Sequence, residues 1–289
     1  MKPTKSRKKN SPWQEVWRRF KKNKPAVLGL VILSLFALTA IFADAIVDAG
    51  FSIQGDARLR LQPPSAKHPF GTDHLGRDLF ARVVHGSRIS LTIGIFAVGV
   101  SMVIGSFLGA AAGYYGGIFD NVLMRILDVL NCIPSVLLTL AMVAALGPSM
   151  FSLLVALAIS AIPIYVRMVR ANVISLTDME YIQAAKAFGG SDFNIIRRHV
   201  IPNAMGPIII QSAGLIAATI LAAASLSFLG FGVQPPTAEW GTILSDARAN
   251  MREAPFLMFF PGIAIVISAM SIALIGDGLR DALDPRLKD

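Results

Sequence analysis

The chain has 289 residues, of which 54% are hydrophobic and only 16% charged, with a mean hydropathy of +0.60. Soluble domains carry about 25% charged residues, so the composition excludes an ordinary water-soluble globule and points to lipid as the solvent. The net charge of +9 would suit a nucleic-acid binder, but residues 1–25 hold ten Lys/Arg against one acid, Glu15; the whole excess is a terminal tail, and no nucleic-acid recognition motif accompanies it.

That basic tail, 1–25, runs into a first apolar stretch, 26–47. A bilayer core of ~30 Å needs about 20 apolar residues in a helix. The flank is too long and basic, and the apolar core too long, for a signal peptide. The expectation is an uncleaved first span entering from the cytoplasm, its tail held inside and touching anionic lipid headgroups. Segment 48–87 is polar and expected on the extracytoplasmic side. Within it, Asp73, Arg77, Asp78 and Arg82 read in two ways: a gate-lining network, or salt bridges closing the segment onto the spans. The histidines His68, His74, His85 and His199 lack ligand spacing, so no metal site is expected.

The second run, 89–113, carries Gly105, Gly109 and Gly113 on one helix face. Such a small-residue face lets another helix backbone approach closely, from this chain or from a second subunit. In the third run, 122–146, Arg125 and Asp128 are spaced to pair and Pro134 is expected to kink the helix. Cys132, the single cysteine, reads as a small buried hydrophobe. The fourth run, 151–169, ends at Arg167 and Arg170. Residues 171–206 are polar and helical but too charged to span. The fifth run, 207–231, is followed by a loop, 232–255, in which Trp240 either contacts a docking protein or anchors at the membrane interface. The sixth run, 256–275, ends before a Gly-Asp-Gly and a charged tail, 278–289. Six spans with both termini inside make an all-α polytopic membrane protein, and 88–277 its main transmembrane domain.

The polar stretch 176–202 carries the most information. MEYIQAAKAFGGSDFNIIRRHVIP, residues 179–202, reads as a short helix with Ile182, Ala185 and Phe188 on one side. Gly189-Gly190 break it, Ser191-Asp192 cap a second helix, and Pro202 closes that one. Small Ala184 and Ala185 would let a groove close over the backbone, with Phe188 as an apolar anchor. The alternative is a plain amphipathic connector lying on the membrane.

Gln183-Ala184-Ala185, Gly189 and Ile201-Pro202 resemble the E-A-A-x3-G-x9-I-x-L-P loop of permeases in binding-protein-dependent ATP-binding-cassette (ABC) importers. Gln183 stands where that family often has Glu, and His199 and Ile201 stand for its Ile and Leu. Residues 68–78 (HPFGTDHLGRD), Arg82 and 86–91 (GSRISL) are similar to the segment before the second span in the dipeptide/oligopeptide permease "C" subunit. So are 224–232 (ASLSFLGFG), Gln234-Pro235-Pro236, Glu239-Trp240-Gly241 and 276–285 (GDGLRDALDP). The resemblance runs from about Trp13 to the end. It implies a type I ABC importer permease fold in the inner membrane, with spans 2–6 as the shared domain and span 1 as an addition. It also implies a homologous second permease subunit, two ABC ATPase subunits and an extracytoplasmic solute-binding protein. ATPase coupling would fall to Tyr181, Gln183, Ala184, Ala185, Phe188, Gly189 and Pro202. The implied solutes are di- or oligopeptides, with glutathione or nickel chelates as alternatives.

No G-x-x-x-x-G-K-[ST] is present, so ATP and Mg would be held by the partner ATPases and this chain would bind no cofactor. G-x-S-x-G, H-E-x-x-H and C-x-x-C are missing too, and no catalytic residue is assigned. A secondary transporter would favour ionisable residues at mid-membrane, and the six runs hold almost none away from their ends.

Overall fold

The structure, a computed structural model, describes residues 12–283. Residues 1–11 of the basic tail and the last six residues of the 278–289 tail therefore lie outside the described residues. Among the described residues, five helices are long and apolar enough to cross a membrane, or six if one bent pair counts as a span.

A short helix, α1 (Pro12–Phe20), precedes α2 (Lys24–Ile41), whose start is set by Asn23, the side chain of which accepts from the Ala26 amide. Two single turns, α3 (Ala43–Ile46) and α4 (Gly50–Ile53), and a 3-10 turn at Ala57–Leu59 lead through an irregular segment to α5 (Leu79–Tyr115). α5 starts at Leu79 rather than at Ile89, because Asp78 caps it by accepting from the Ala81 amide at 2.8 Å. The glycines of the second run settle their own ambiguity. A Cβ on Gly105 would lie 2.5 Å from Tyr165 Cβ, and one on Gly109 2.6 Å from the Val166 carbonyl oxygen. Gly113 meets Arg170 and Val173 in the same way. The small-residue face is used inside the chain, to seat α8 (Met150–Thr177) against α5.

The third run is not a kinked helix but two helices, α6 (Gly117–Asn131) and α7 (Ser135–Leu146), set at 86°. Pro134 cannot donate a backbone hydrogen bond and disfavours helix at the residue before it, so the chain turns there. Arg125 does not pair with Asp128. Asp128 instead accepts from Arg167 at 2.8 Å, and Asp120 accepts two bonds from Arg170 at 2.5 Å, pinning α6 to α8. Cys132, at the end of α6, is exposed rather than buried.

After α8 come α9 (Glu180–Ala187), α10 (Asp192–Ile195), a π turn at Ile196–Val200 and α11 (Ile201–Phe228). Pro202 does not close a helix. It sits in the first turn of α11, where a missing amide is tolerated, and the wider π turn before it keeps 192–228 continuous. α12 (Trp240–Ala247) folds back, a 3-10 turn follows at Arg248–Asn250, and α13 (Phe256–Leu283) runs past the Gly-Asp-Gly without a break. α2 and α11 both pack on α13, and α5 on α8 and α11.

The helices alternate in direction, which gives the bundle two ends. One carries residues 42–78 and α12; the other carries α9 and α10.

Candidate functional site

At the end built by α9 and α10, a small elbow is anchored by three apolar side chains and leaves its remaining face in the open. Ile182, Ile195 and Val200 are fully buried with Val169, Val173 and Ala204 of the bundle. Opposite them Tyr181, Gln183, Ala184, Lys186 and Ala187 are exposed, and Phe188 is 91% exposed. Phe188 thus parts from Ile182 and Ala185, with which it was grouped. Ala185 is half-buried against the bundle, so Ala184 and Ala187 are the small residues that an incoming surface would meet.

The break after α9 is a Schellman turn. Gly190 donates to the Ala185 carbonyl and Gly189 to the Lys186 carbonyl, both at 3.0 Å, with Gly189 at φ +77°. A side chain at Gly189 would enter open space, so the left-handed backbone alone demands glycine there. Ser191 occupies the cap position of α10 but makes no capping bond. Asp192 accepts instead from the Tyr114 hydroxyl at 2.7 Å, and Lys186 lies 4.5 Å over the Tyr114 ring. The end of α5 therefore holds both halves of the elbow. Pro202 is exposed on α11, beyond the turn.

At the opposite end the four charged residues of the sequence reading form two units. Asp73 accepts from Arg77 Nε and Arg82 Nη1, each at 2.6 Å. The same two arginines reach Asp246 of α12 at 3.2 and 3.0 Å. Asp78 stands apart, bonded to His68 Nδ1 at 2.7 Å. Burial works against the Asp73 charge, but Arg82, Arg77 and two backbone amides outweigh it and hold the carboxyl below its usual range. Arg82 is 1% exposed and faces these carboxylates, not an open channel. The cluster clasps segment 48–78 and the start of α5 to α12.

α12 is held from below by Glu239, itself 1% exposed, which accepts from Ser90 Oγ of α5 at 2.9 Å and caps α12 at the Thr242 amide. Burial raises the Glu239 carboxyl above the usual glutamate range against the pull of the amides and hydroxyls around it. Trp240 neither anchors at an interface nor awaits a docking protein. It is fully buried, its indole donates to the Val83 carbonyl at 3.0 Å, and its ring packs edge-on against Phe36. Glu239 had a readable signal, an acid three residues before the Thr242 amide that it caps. Asp246 had none, because its partners lie more than 160 residues away in the chain.

Residues 89–289 match the family model of the binding-protein-dependent transport system inner membrane component, and residues 11–64 match the N-terminal TM domain of oligopeptide transport permease C. The chain is 47% identical to the dipeptide transport system permease protein DppC of Alkalihalophilus pseudofirmus, over 96% of this chain and 91% of that one. It is 44% identical to the glutathione transport system permease protein GsiD of Pectobacterium atrosepticum, over 96% and 92%. In fold it is similar to a chain of the MetNI methionine ABC transporter in an inward-facing conformation. The TM-score is 0.56 at 20% identity, covering 70% of this chain and 97% of that one. A family match over most of the chain, on a bundle with five or six membrane-length helices, gives one answer: the chain belongs to the binding-protein-dependent transport system inner membrane components and is a multi-pass membrane permease subunit of an ABC importer.

Proposed function

We propose that this subunit forms half of an uptake pathway for short peptides and takes its mechanical input through the 179–202 elbow. The partners in this reading are a homologous second permease subunit, two ATPase subunits that hold ATP and Mg, and an extracytoplasmic solute-binding protein. Both termini and the elbow lie on the cytoplasmic side. The observation that carries the reading is the elbow's two-faced build: one side buried in the bundle, the other presenting exposed Phe188, Ala184 and Ala187. A rigid, anchored projection transmits force, whereas a loose loop would absorb it. When ATP closes the ATPase pair, the elbow is drawn with them. α8 and α11 flank it in the chain, so they rock with it, and the cavity alternates between its two openings. The clasped end, with α12 and segment 48–78, faces the binding protein.

The relatives' names support a short peptide as cargo, since glutathione is itself a tripeptide. Purified transporter in proteoliposomes, supplied with its own binding protein, should take up a labelled dipeptide or glutathione only with ATP inside. Uptake driven by an ion gradient without ATP would overturn the reading, and uptake of neither peptide would overturn the cargo.

A further inference from the structure

The bend between α6 and α7 lies beside the middle of α8, a helix long and apolar enough to cross a membrane. Thr139 of α7 donates to the Ser135 carbonyl at 2.7 Å, and its hydroxyl meets Ser160 of α8 at 3.0 Å. Ser160 is ten residues into α8, about 15 Å from its start at 1.5 Å per residue. That is half of a bilayer core of ~30 Å. At this depth residues 131–137 are all exposed, and 132–134 are not helical.

Lipid does not tolerate such a surface. The first helical bond of α7 runs from the Leu138 amide to the Pro134 carbonyl at 2.9 Å, and no side chain caps the helix. The amides of Ser135, Val136 and Leu137 therefore have no helical acceptor. Irregular backbone at membrane depth persists only where protein covers it or where it borders water. Two adjoining cavities of about 210 and 290 Å³ open beside the bend and share Ser135, Ser160 and Ile164. Thr139, Thr219 and Ser225 line the first among mainly apolar side chains, Asn131 the second, and among the described residues no acid or base lines either.

We propose that the α6–α7 bend, with Ser135, Thr139 and Ser160, is the wall this chain gives to a hydrated solute path, lined there by neutral hydrogen-bonding groups. The proposal deepens the function proposed above and rests on it. Uncharged donors and acceptors serve a peptide backbone of any sequence, whereas fixed charges would favour solutes of opposite sign and repel the rest.

Cys132, the chain's only cysteine, stands on the bend and reports its surroundings without any substitution. The assembled transporter in proteoliposomes is treated with a membrane-impermeant cationic methanethiosulfonate, and the modified Cys132 peptide is quantified by mass spectrometry. Cys132 should react in at least one of the nucleotide-free and ATP-bound states, and roughly tenfold faster than a cysteine facing hydrocarbon, where the thiolate does not form. In a Cys132→Ser background, Ile133→Cys and Val136→Cys should react as well. Phe96→Cys, on the exposed apolar face of α5, should not. If Cys132, Ile133→Cys and Val136→Cys all resist the reagent in both states while ATP-driven peptide uptake is intact, the wall is refuted and the functional reading stands. If there is no ATP-driven uptake, the functional reading falls and the wall with it. Reaction of Cys132 with a lipid-soluble maleimide alone would place the bend against lipid or a dry subunit contact, and also refute the proposal.

Discussion

A positive φ of 77° at Gly189, with open space where a side chain would go, separates two effects that substitutions usually mix. Gly189→Val adds no clash; it strains only the backbone, by about 1–2 kcal/mol or more for a β-branched residue. The elbow should distort while the bundle stays folded. The expected outcome is a membrane-inserted complex of near-normal melting temperature whose ATPase is no longer stimulated by loaded binding protein; full stimulation would remove the elbow from the coupling route. Asp73 is the opposite case, a buried carboxylate between two guanidiniums. Asp73→Asn leaves those charges short of a partner and should cost about 3–5 kcal/mol, read as a lower melting temperature in detergent. Its carboxyl is held below the unfolded value of about 3.9. Its contribution is therefore complete above about pH 4 and is lost as pH falls through the lower, folded value. Between pH 5 and 8 the penalty of Asp73→Asn should not change.

Among the elements, α12 and the α5–α8 pair make the sharpest claims. Glu239 caps α12 from a buried position and its carboxyl is raised. A raised acid destabilises the fold when ionised. Stability should then increase as pH falls from the folded value toward the unfolded one of about 4.3. Glu239→Gln keeps an oxygen to accept from the Thr242 amide and cannot ionise. Melting curves should show wild type gaining on Glu239→Gln upon acidification from neutral pH, and parallel curves would contradict a buried, titrating carboxyl. In the α5–α8 pair, Gly109→Val places a Cβ 2.6 Å from the Val166 carbonyl oxygen. Overpacking of this kind costs about 1–3 kcal/mol. This variant should melt early, in contrast to Gly189→Val.

At the scale of the whole molecule, the alternating helices put residue 67 and residue 187 at opposite ends of the bundle. With Cys132→Ser as background, Ala187→Cys should be labelled by an impermeant maleimide only from the cytoplasmic side, and Lys67→Cys only from outside. The reverse pattern would separate the elbow from any cytosolic ATPase. The clasp of Asp73, Arg77, Arg82 and Asp246 bears on the same scale, because it joins segment 48–78 to α12 into one surface. If that surface receives the binding protein, Asp246→Ala should weaken stimulation by the binding protein more than it weakens basal ATP hydrolysis.

Long apolar runs, a one-sided basic tail and the Gly189 break are local properties, and they were readable in residue order alone: membrane class, approximate spans and the presence of an elbow. The helical period also placed Gly105, Gly109 and Gly113 on one face. Contacts between distant segments were not readable, because no local period encodes them. The partner of that glycine face, the exchange of Arg125 for Arg167 beside Asp128, the entry of Asp246 into the clasp and the burial of Trp240 were all decided by tertiary packing. So was the exposure of Cys132. A proline announces that a helix will be disturbed; only its neighbours decide whether it bends, or turns by 86° and leaves backbone amides without a helical acceptor.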